Sequence, residues 1–272
     1  MSHAADPSHP RYASLLKRGL LEVGARKGML ADSALIAHGR GEAFDYLLGE
    51  RSHSFALDAT HHATRCLFHA HRPVISVNGN TVALASDQLL LLAARINAPI
   101  EINIFYRTQE RMRALFTHLQ ERKDALTSHE ASQDRTSGIG ASVSVADVPI
   151  LGMTPDDRIP GLEGPRAACC STGIGGSDVL LVPLEDGDRC EALVAMGKTV
   201  IVIDLNPWSR SARSASVTIV DELTRVADNM LGILGDEDPP PPGAWRNESN
   251  LHASIDAIRT GFGRMGESAE DG

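Results

Sequence analysis

Apolar, β-branched residues recur along the chain in five short runs, at residues 74–77, 100–105, 179–182, 199–203 and 217–220. Between or after them lie segments whose apolar positions fall three or four apart, at 87–97, 109–122, 189–196 and 223–234. Short continuous apolar runs alternating with helical periods predict parallel strands buried on both faces, each followed by a covering helix.

Upstream the pattern is helical. Leu15, Leu16, Leu20, Leu21 and Val23 share one face of a helix expected over 14–28, which Gly28 is placed to end. A second helical piece is expected over 42–48, between Gly41 and Gly49, and a third over the alanine-rich stretch 54–71, after which Pro73 opens the first strand. The expected fold is therefore α/β: a Rossmann-like, doubly wound, mainly parallel sheet with an N-terminal helical segment over 10–72. Residues 124–148 are polar and without period, and read as a surface insertion or loop. Four consecutive prolines follow Asp236, Glu237 and Asp238. They divide a single catalytic domain, 1–235, from a Pro-rich, acidic extension, 236–272, which is expected as a short docking helix or as disorder.

Composition narrows the function classes. A chain of 272 residues can bury a full core, and no run approaches the ~18 apolar residues of a membrane span. With no apolar signal segment at its start, it is expected in the cytoplasm. A net charge of −9 argues against nucleic acid or an anionic membrane as partner, so the expected partners are small molecules. Cys66, Cys169, Cys170 and Cys190 show no metal or disulfide spacing and read as buried thiols.

Several motifs carry less than they promise. Residues 192–199 read AxxxxGKT, but a phosphate loop follows a strand and opens a helix, whereas here Lys198 closes a helix and leads into a strand. Gly173-Ile174-Gly175-Gly176 precedes a strand rather than following one, and reads as a turn. His62 and Cys66 share a helix face near His61, His69 and His71, yet apolar neighbours favour a packed helix over a zinc site. Asn247-Glu248-Ser249 matches a glycosylation acceptor, which has no consequence in a cytoplasmic protein.

Four blocks concentrate charged and amide side chains: HGRGEAFDY at 38–46, SVNGN at 76–80, VPLEDGDR at 182–189 and IDLNPWSR at 203–210. Asn78, Glu185 and Asp204 each follow a predicted strand, and ligands bind at the carboxyl edge of an open parallel sheet. Arg40, Arg189, Lys198 and Arg210 supply cations, while Glu185, Asp186, Asp188 and Asp204 supply anions. That mixture suits a nucleotide, with arginines for phosphates and carboxylates for Mg²⁺ or ribose hydroxyls.

These blocks, with EAL and MGK behind the third, resemble the archaeal phosphopantothenate synthetases, or 4-phosphopantoate–β-alanine ligases, from about His9 to Arg225. Trp208 and Ser211 stand where the family usually has an aliphatic residue and threonine. The resemblance implies a Rossmann-like homodimer that uses ATP and Mg²⁺ to form a phosphopantoyl adenylate, which β-alanine attacks. Arg18 on the first helix and Arg40 in the HGRGE turn lie in family-like positions and are expected at phosphates, while Asp204, Leu205 and Asn206, which end the fourth strand, are expected around the ribose. Arg210 and Ser211 are placed near phosphate, and Glu222 and Leu223 near adenine. Asn78, Glu185, Asp186, Asp188 and Lys198 are candidate catalytic groups, and Asn80, Arg107, Arg111 and Arg189 candidate substrate contacts. The division between those two sets stays open, and no metal ligands are assigned. Another ATP-using phosphoryl or nucleotidyl transferase, or a nucleotide sensor without catalysis, would use the same strand ends.

Overall fold

The computed structural model describes residues 6–132, 144–235 and 238–267. Three helices come first, α1 (Tyr12–Arg26), α2 (Ser33–Leu47) and α3 (Ser54–Phe68). Then follow β1 (Pro73–Val77), α4 (Gly79–Arg95), β2 (Ile100–Ile102), α5 (Gln109–Ser132), β3 (Ile150–Leu151), β4 (Asp157–Arg158) and β5 (Ala168–Cys169). The chain ends with β6 (Val179–Leu181), α6 (Gly187–Ala195), β7 (Thr199–Ile203), α7 (Arg210–Ser214), β8 (Val217–Ile219), α8 (Leu223–Ile233) and α9 (Asn247–Glu267).

Six strands form one parallel sheet in the order β3-β2-β1-β6-β7-β8. Alternation along each strand divides two cores. Ile75, Val77, Ile100, Ile102, Leu181, Ile201, Ile203 and Ile219 face one side, where α1, α3, α4, α5 and α8 cover them. Val74, Leu180, Val182, Val200 and Val202 face the other, against Cys190 and Leu193 of α6 and against Ile159, Leu162 and Ile174 of the segment around the antiparallel β4–β5 pair. This is the doubly wound, Rossmann-like α/β arrangement that the sequence implies. Strand order runs outward from β1 in one direction and from β6 in the other, so their boundary is the switch point at which a crevice opens.

Four expectations shift. Residues 33–47 form one helix, so His38 and Arg40 lie on a helix rather than in a glycine turn. Each internal glycine costs roughly 1 kcal/mol, but α2 is held at both ends. The Asn80 Nδ2 donates to Ala34 O at 3.1 Å, and buried Asp45 pairs with Arg225. The second strand stops at Ile102; just past it Asn103 N still donates to Val77 O at 2.9 Å, while its side-chain Nδ2 donates to Ala168 O at 3.0 Å. The helix expected from 87 begins at Gly79, where Asn78 and Thr81 close a reciprocal capping box. Helix α5 runs through Ser132, so the first part of the expected polar loop is helical; residues 133–143 lie outside the described ones.

Beyond the prolines, α9 packs Leu251 and Ile258 against Phe55, Ala212 and Val220. The last residues of the expected tail, 268–272, lie outside the described ones. Among the described residues no helix is long and apolar enough to cross a membrane. All four cysteines are free, three buried and Cys66 half-buried; burial pushes the Cys169 and Cys190 thiols up to about 12.

Candidate active site

The site forms where β1 and β6 end side by side. The amide Nδ2 of Asn78 donates to Pro183 O at 3.2 Å and Leu184 O at 3.0 Å, joining the two strand ends across the switch point. The same side chain accepts from Thr81 N and so starts α4. Gly79 follows because a Cβ there would lie 2.6 Å from Met29 O. Its absence lets the loop after α1 close on the helix, which brings α2 over the sheet edge.

Two adjoining cavities lie beneath α2. The larger, 330 Å³, is bounded by Arg40, Asn78, Asn80, Asn103, Phe105, Arg111, Arg166, Glu185 and Asp186. The smaller, 100 Å³, lies toward β7 and β8 and is lined by Lys17, His38, Gly41, Leu84, Leu205, Glu222 and Leu223. Ala37, Asn80 and Leu184 line both, so the two form one groove along the carboxyl rim. With Asn80 Nδ2 committed to Ala34 and Asn103 Nδ2 to Ala168, their Oδ1 atoms remain as buried acceptors without a partner among the described residues. Buried orphan acceptors at a cavity floor call for a donor from a ligand or ordered water.

Charge in the groove is organised by burial. Arg189, 1% exposed, pairs with Glu185 and donates to Ser76 Oγ at 3.0 Å. Burial pushes the Glu185 carboxyl up, with the Arg189 charge opposing. Arg166 bridges Asp186, at 3.0 Å, and Asp188, and lies 4.7 Å over the Phe105 ring. At the other end Lys17 Nζ lies 2.6 Å from Glu222 Oε2. Burial works to raise the Glu222 carboxyl, but the Lys17 charge and bonds from Lys17 and Thr224 leave it below its usual range. Burial holds His38 below the ordinary histidine value against the pull of Glu42 and Glu222. Among the described residues Arg40 forms no ion pair or hydrogen bond, so its guanidinium stands ready for a ligand.

The sequence-derived candidates divide accordingly. Asn78, Asn80, Arg40, Arg111, Glu185 and Asp186 meet at the larger cavity; Leu205, Glu222 and Leu223 meet at the smaller. Asp188 reaches the wall through Arg166. Asp204 accepts from Asn206 N at 2.9 Å and from the Ser209 hydroxyl, and Asn206 Oδ1 accepts from Trp208 N at 3.0 Å, so the pair shapes the turn behind Leu205. Burial pushes the Asp204 carboxyl up.

Like Asp188, Asp204 and Asn206, six further candidates lie off the walls of these two cavities. Arg18 pairs with Glu42 at 2.8 Å on the outer side, and exposed Arg210 pairs with Glu191 at 2.9 Å. Ser211 donates to Glu185 O, and Arg189 stays behind Glu185 in the core. Arg107 donates to the carbonyls of Ile102 and Gly152, beside a separate hollow with Met112 and Met153. Lys198 precedes β7, and its ammonium donates to Gly175 O at 2.9 Å and Ser177 O at 2.7 Å. That places it at the amino edge of the sheet, opposite the groove, because a residue entering a parallel strand cannot stand at its carboxyl end. Sequence reasoning missed Arg166, Asn103, Lys17 and His38. Only His38 sits inside a recognised block; Lys17 neighbours a candidate, Asn103 was read as strand, and Arg166 lies outside every pattern.

A family model described as phosphopantothenate/pantothenate synthetase matches residues 55–238. The 4-phosphopantoate–β-alanine ligase of Thermococcus kodakarensis is 47% identical over 82% of this chain and 77% of that protein. Proteins of the same name from Methanosarcina mazei and Methanospirillum hungatei are 46% and 42% identical over 82% of this chain, covering 78% and 82% of their own lengths. By the span of the model and the level of identity, this chain belongs to the phosphopantothenate/pantothenate synthetase family.

Proposed function

We propose that this chain is an AMP-forming 4-phosphopantoate–β-alanine ligase, acting in coenzyme A biosynthesis in the cytoplasm and taking ATP as its energy source. The observation that carries the reading is the two-chambered groove, whose small, mostly apolar end suits a purine and whose arginine-lined end suits an anionic acid. Where the chambers meet, beside Asn80 and Leu184, the acid carboxylate would attack the α-phosphorus of ATP and expel pyrophosphate. The amine of β-alanine then displaces AMP from the acyl carbon.

Leu205 and Leu223 would sandwich the base, and Arg40 would take phosphate. Glu185, raised by burial and lining the cavity, is the group placed to accept the ammonium proton of β-alanine. The orphan Oδ1 atoms of Asn80 and Asn103 are acceptors for that ammonium before it loses its proton. By its bonding, Asp204 supports this arrangement through the turn that carries Leu205.

Mg²⁺ would enter with the nucleotide and neutralise charge on its phosphoryl oxygens. Among the described residues no three His, Cys, Asp or Glu side chains group to hold an ion by themselves. Asp186 and Asp188 are both engaged by Arg166, so the cation would be ligated mainly by phosphate and water. A homodimer is supported by Leu16, Leu20 and Val23, exposed at helical spacing on α1, and by Leu35 and Ile36, exposed on α2, apolar surface that a second copy would cover.

The test supplies the purified protein with 4-phosphopantoate, β-alanine and MgATP. AMP and pyrophosphate should form in equal amounts with the amide product. Formation of ADP, or ATP binding without turnover, would replace this reading with a kinase or a sensor.

A further inference from the structure

Strand β8 is an edge of the parallel sheet, and its outward side is completed by a helix. Thr218, buried in the middle of that strand, lies beside Val202 of β7 on its inner side. On the outer side its backbone N–H donates to Asn247 Oδ1 at 2.7 Å, and its C=O accepts from Asn250 Nδ2 at 2.7 Å. A neighbouring strand would supply that pair of bonds to an edge residue, and a buried backbone left without them is costly. Two asparagines one turn apart on α9 supply them instead.

Asn247 reaches further. Its Nδ2 is shared among Ala212 O at 2.9 Å, Ala215 O at 3.1 Å and Thr218 Oγ1 at 3.1 Å, so one side chain closes the end of α7 and holds β8. Helix α7 opens directly after the turn that carries Leu205, and β8 leads into Glu222 and Leu223; all three residues are walls of the smaller cavity. Leu251 and Ile258 of α9 belong to the same apolar cluster as Leu205, with Phe44 and Leu48 from the end of α2. Gly261 brings α9 against that end as well, since a Cβ there would lie 3.8 Å from Leu47 O. Asn247 and Asn250 line neither cavity of the groove; they touch what holds the walls of one.

Resting on the proposed reading of the smaller cavity as the nucleotide end, we infer that Asn247 and Asn250 are positioning residues for ATP. Helix α9 takes the place of a seventh strand, and through Thr218 and α7 it sets Leu205, Glu222 and Leu223 at the spacing from α2 that admits the base. The segment beyond the prolines is thereby part of the nucleotide site. Coupling of this kind is reciprocal: if α9 tightens the binding of ATP, bound ATP tightens α9 to the same degree. A helix whose only task is to keep β8 from pairing with another chain predicts no such coupling.

The experiment follows amide hydrogen exchange in the full-length wild type with and without MgATP, no acid substrate being present. MgATP should slow exchange at the Thr218 amide and along 247–258 by about fivefold or more, the scale of coupling between sites. Asn247→Asp keeps the acceptor for Thr218 N but turns a carboxylate on the Ala212 and Ala215 carbonyls; Asn250→Ala removes the donor to Thr218 O. Each should raise KM for ATP about tenfold, with KM for 4-phosphopantoate and for β-alanine changing less than about threefold. Arg259→Ala, on the exposed face of the same helix, should change none of the three. Bound MgATP that leaves exchange in α9 unchanged, or folded asparagine variants with the wild-type KM for ATP, overturns the inference and leaves the ligase reading standing. If the asparagine variants do not fold, exchange in the wild type decides alone. A wild type that binds no MgATP overturns the nucleotide reading and the positioning role with it.

Discussion

Asn78 at the end of β1 donates to the carbonyls of Pro183 and Leu184 just past β6, at 3.2 and 3.0 Å, and thereby ties together the two strands whose divergence opens the groove. Asn78→Asp is the informative change. It keeps the acceptor that caps α4 but removes two donated bonds and sets a carboxylate against two carbonyls. It should cost about 2 kcal/mol of stability in denaturant titration and lower kcat more than stability alone explains, whereas a simple helix cap would tolerate it.

Arg40 offers the opposite case, an arginine on the cavity wall that bonds to nothing among the described residues. Arg40→Ala should leave the unfolding midpoint within experimental scatter of the wild type. Its kcat/KM for ATP should fall about 30-fold, equivalent to about 2 kcal/mol of lost transition-state stabilisation. A large loss of stability with normal kinetics would place Arg40 in the scaffold instead.

Lys198 belongs to the scaffold. Replacing it with methionine leaves the carbonyls of Gly175 and Ser177 without their ammonium donor, at an expected cost of about 1–3 kcal/mol in stability. Turnover per folded molecule should not change. A selective loss of kcat in a fully folded Lys198→Met protein would return Lys198 to the site.

The Lys17–Glu222 pair predicts a pH dependence. Because the folded-state pKa of Glu222 lies below its ordinary value of 4.5, the pair contributes stability that is fully present above that value. The contribution is lost as pH falls through the lowered folded value. The stability difference between wild type and Glu222→Gln, followed by denaturant unfolding from pH 7 to pH 3, should be flat above 4.5 and shrink below it. A difference that grows on acidification would mean that burial, not Lys17, governs this carboxyl.

Much of this was legible before the structure. All five apolar runs became strands of the parallel sheet, since continuous burial on two faces leaves a plain mark. Strands β3, β4 and β5, two residues each, carry no pattern long enough to read. The glycines of HGRG suggested a turn because local propensity argued for one, and tertiary anchoring at Ala34 and Asp45 overrode it. In the site, Asn78 and Glu185 were found by one rule, that side chains just past parallel strands gather at a common edge; Asp204, picked by the same rule, instead shapes the turn that carries Leu205 to the wall. The same rule excludes Lys198, which precedes its strand. Arg166 was out of reach because it comes to the rim from the irregular segment covering the other face of the sheet.

Adenylation of the acid at the junction of the two chambers is the step on which the proposed reaction depends. Exchange of labelled pyrophosphate into ATP tests it most directly. With 4-phosphopantoate and MgATP present and β-alanine absent, the wild type should exchange label, and Arg40→Ala should exchange it about 30-fold more slowly. No exchange until β-alanine is added, in an enzyme that nonetheless completes the reaction, would contradict a separate adenylate.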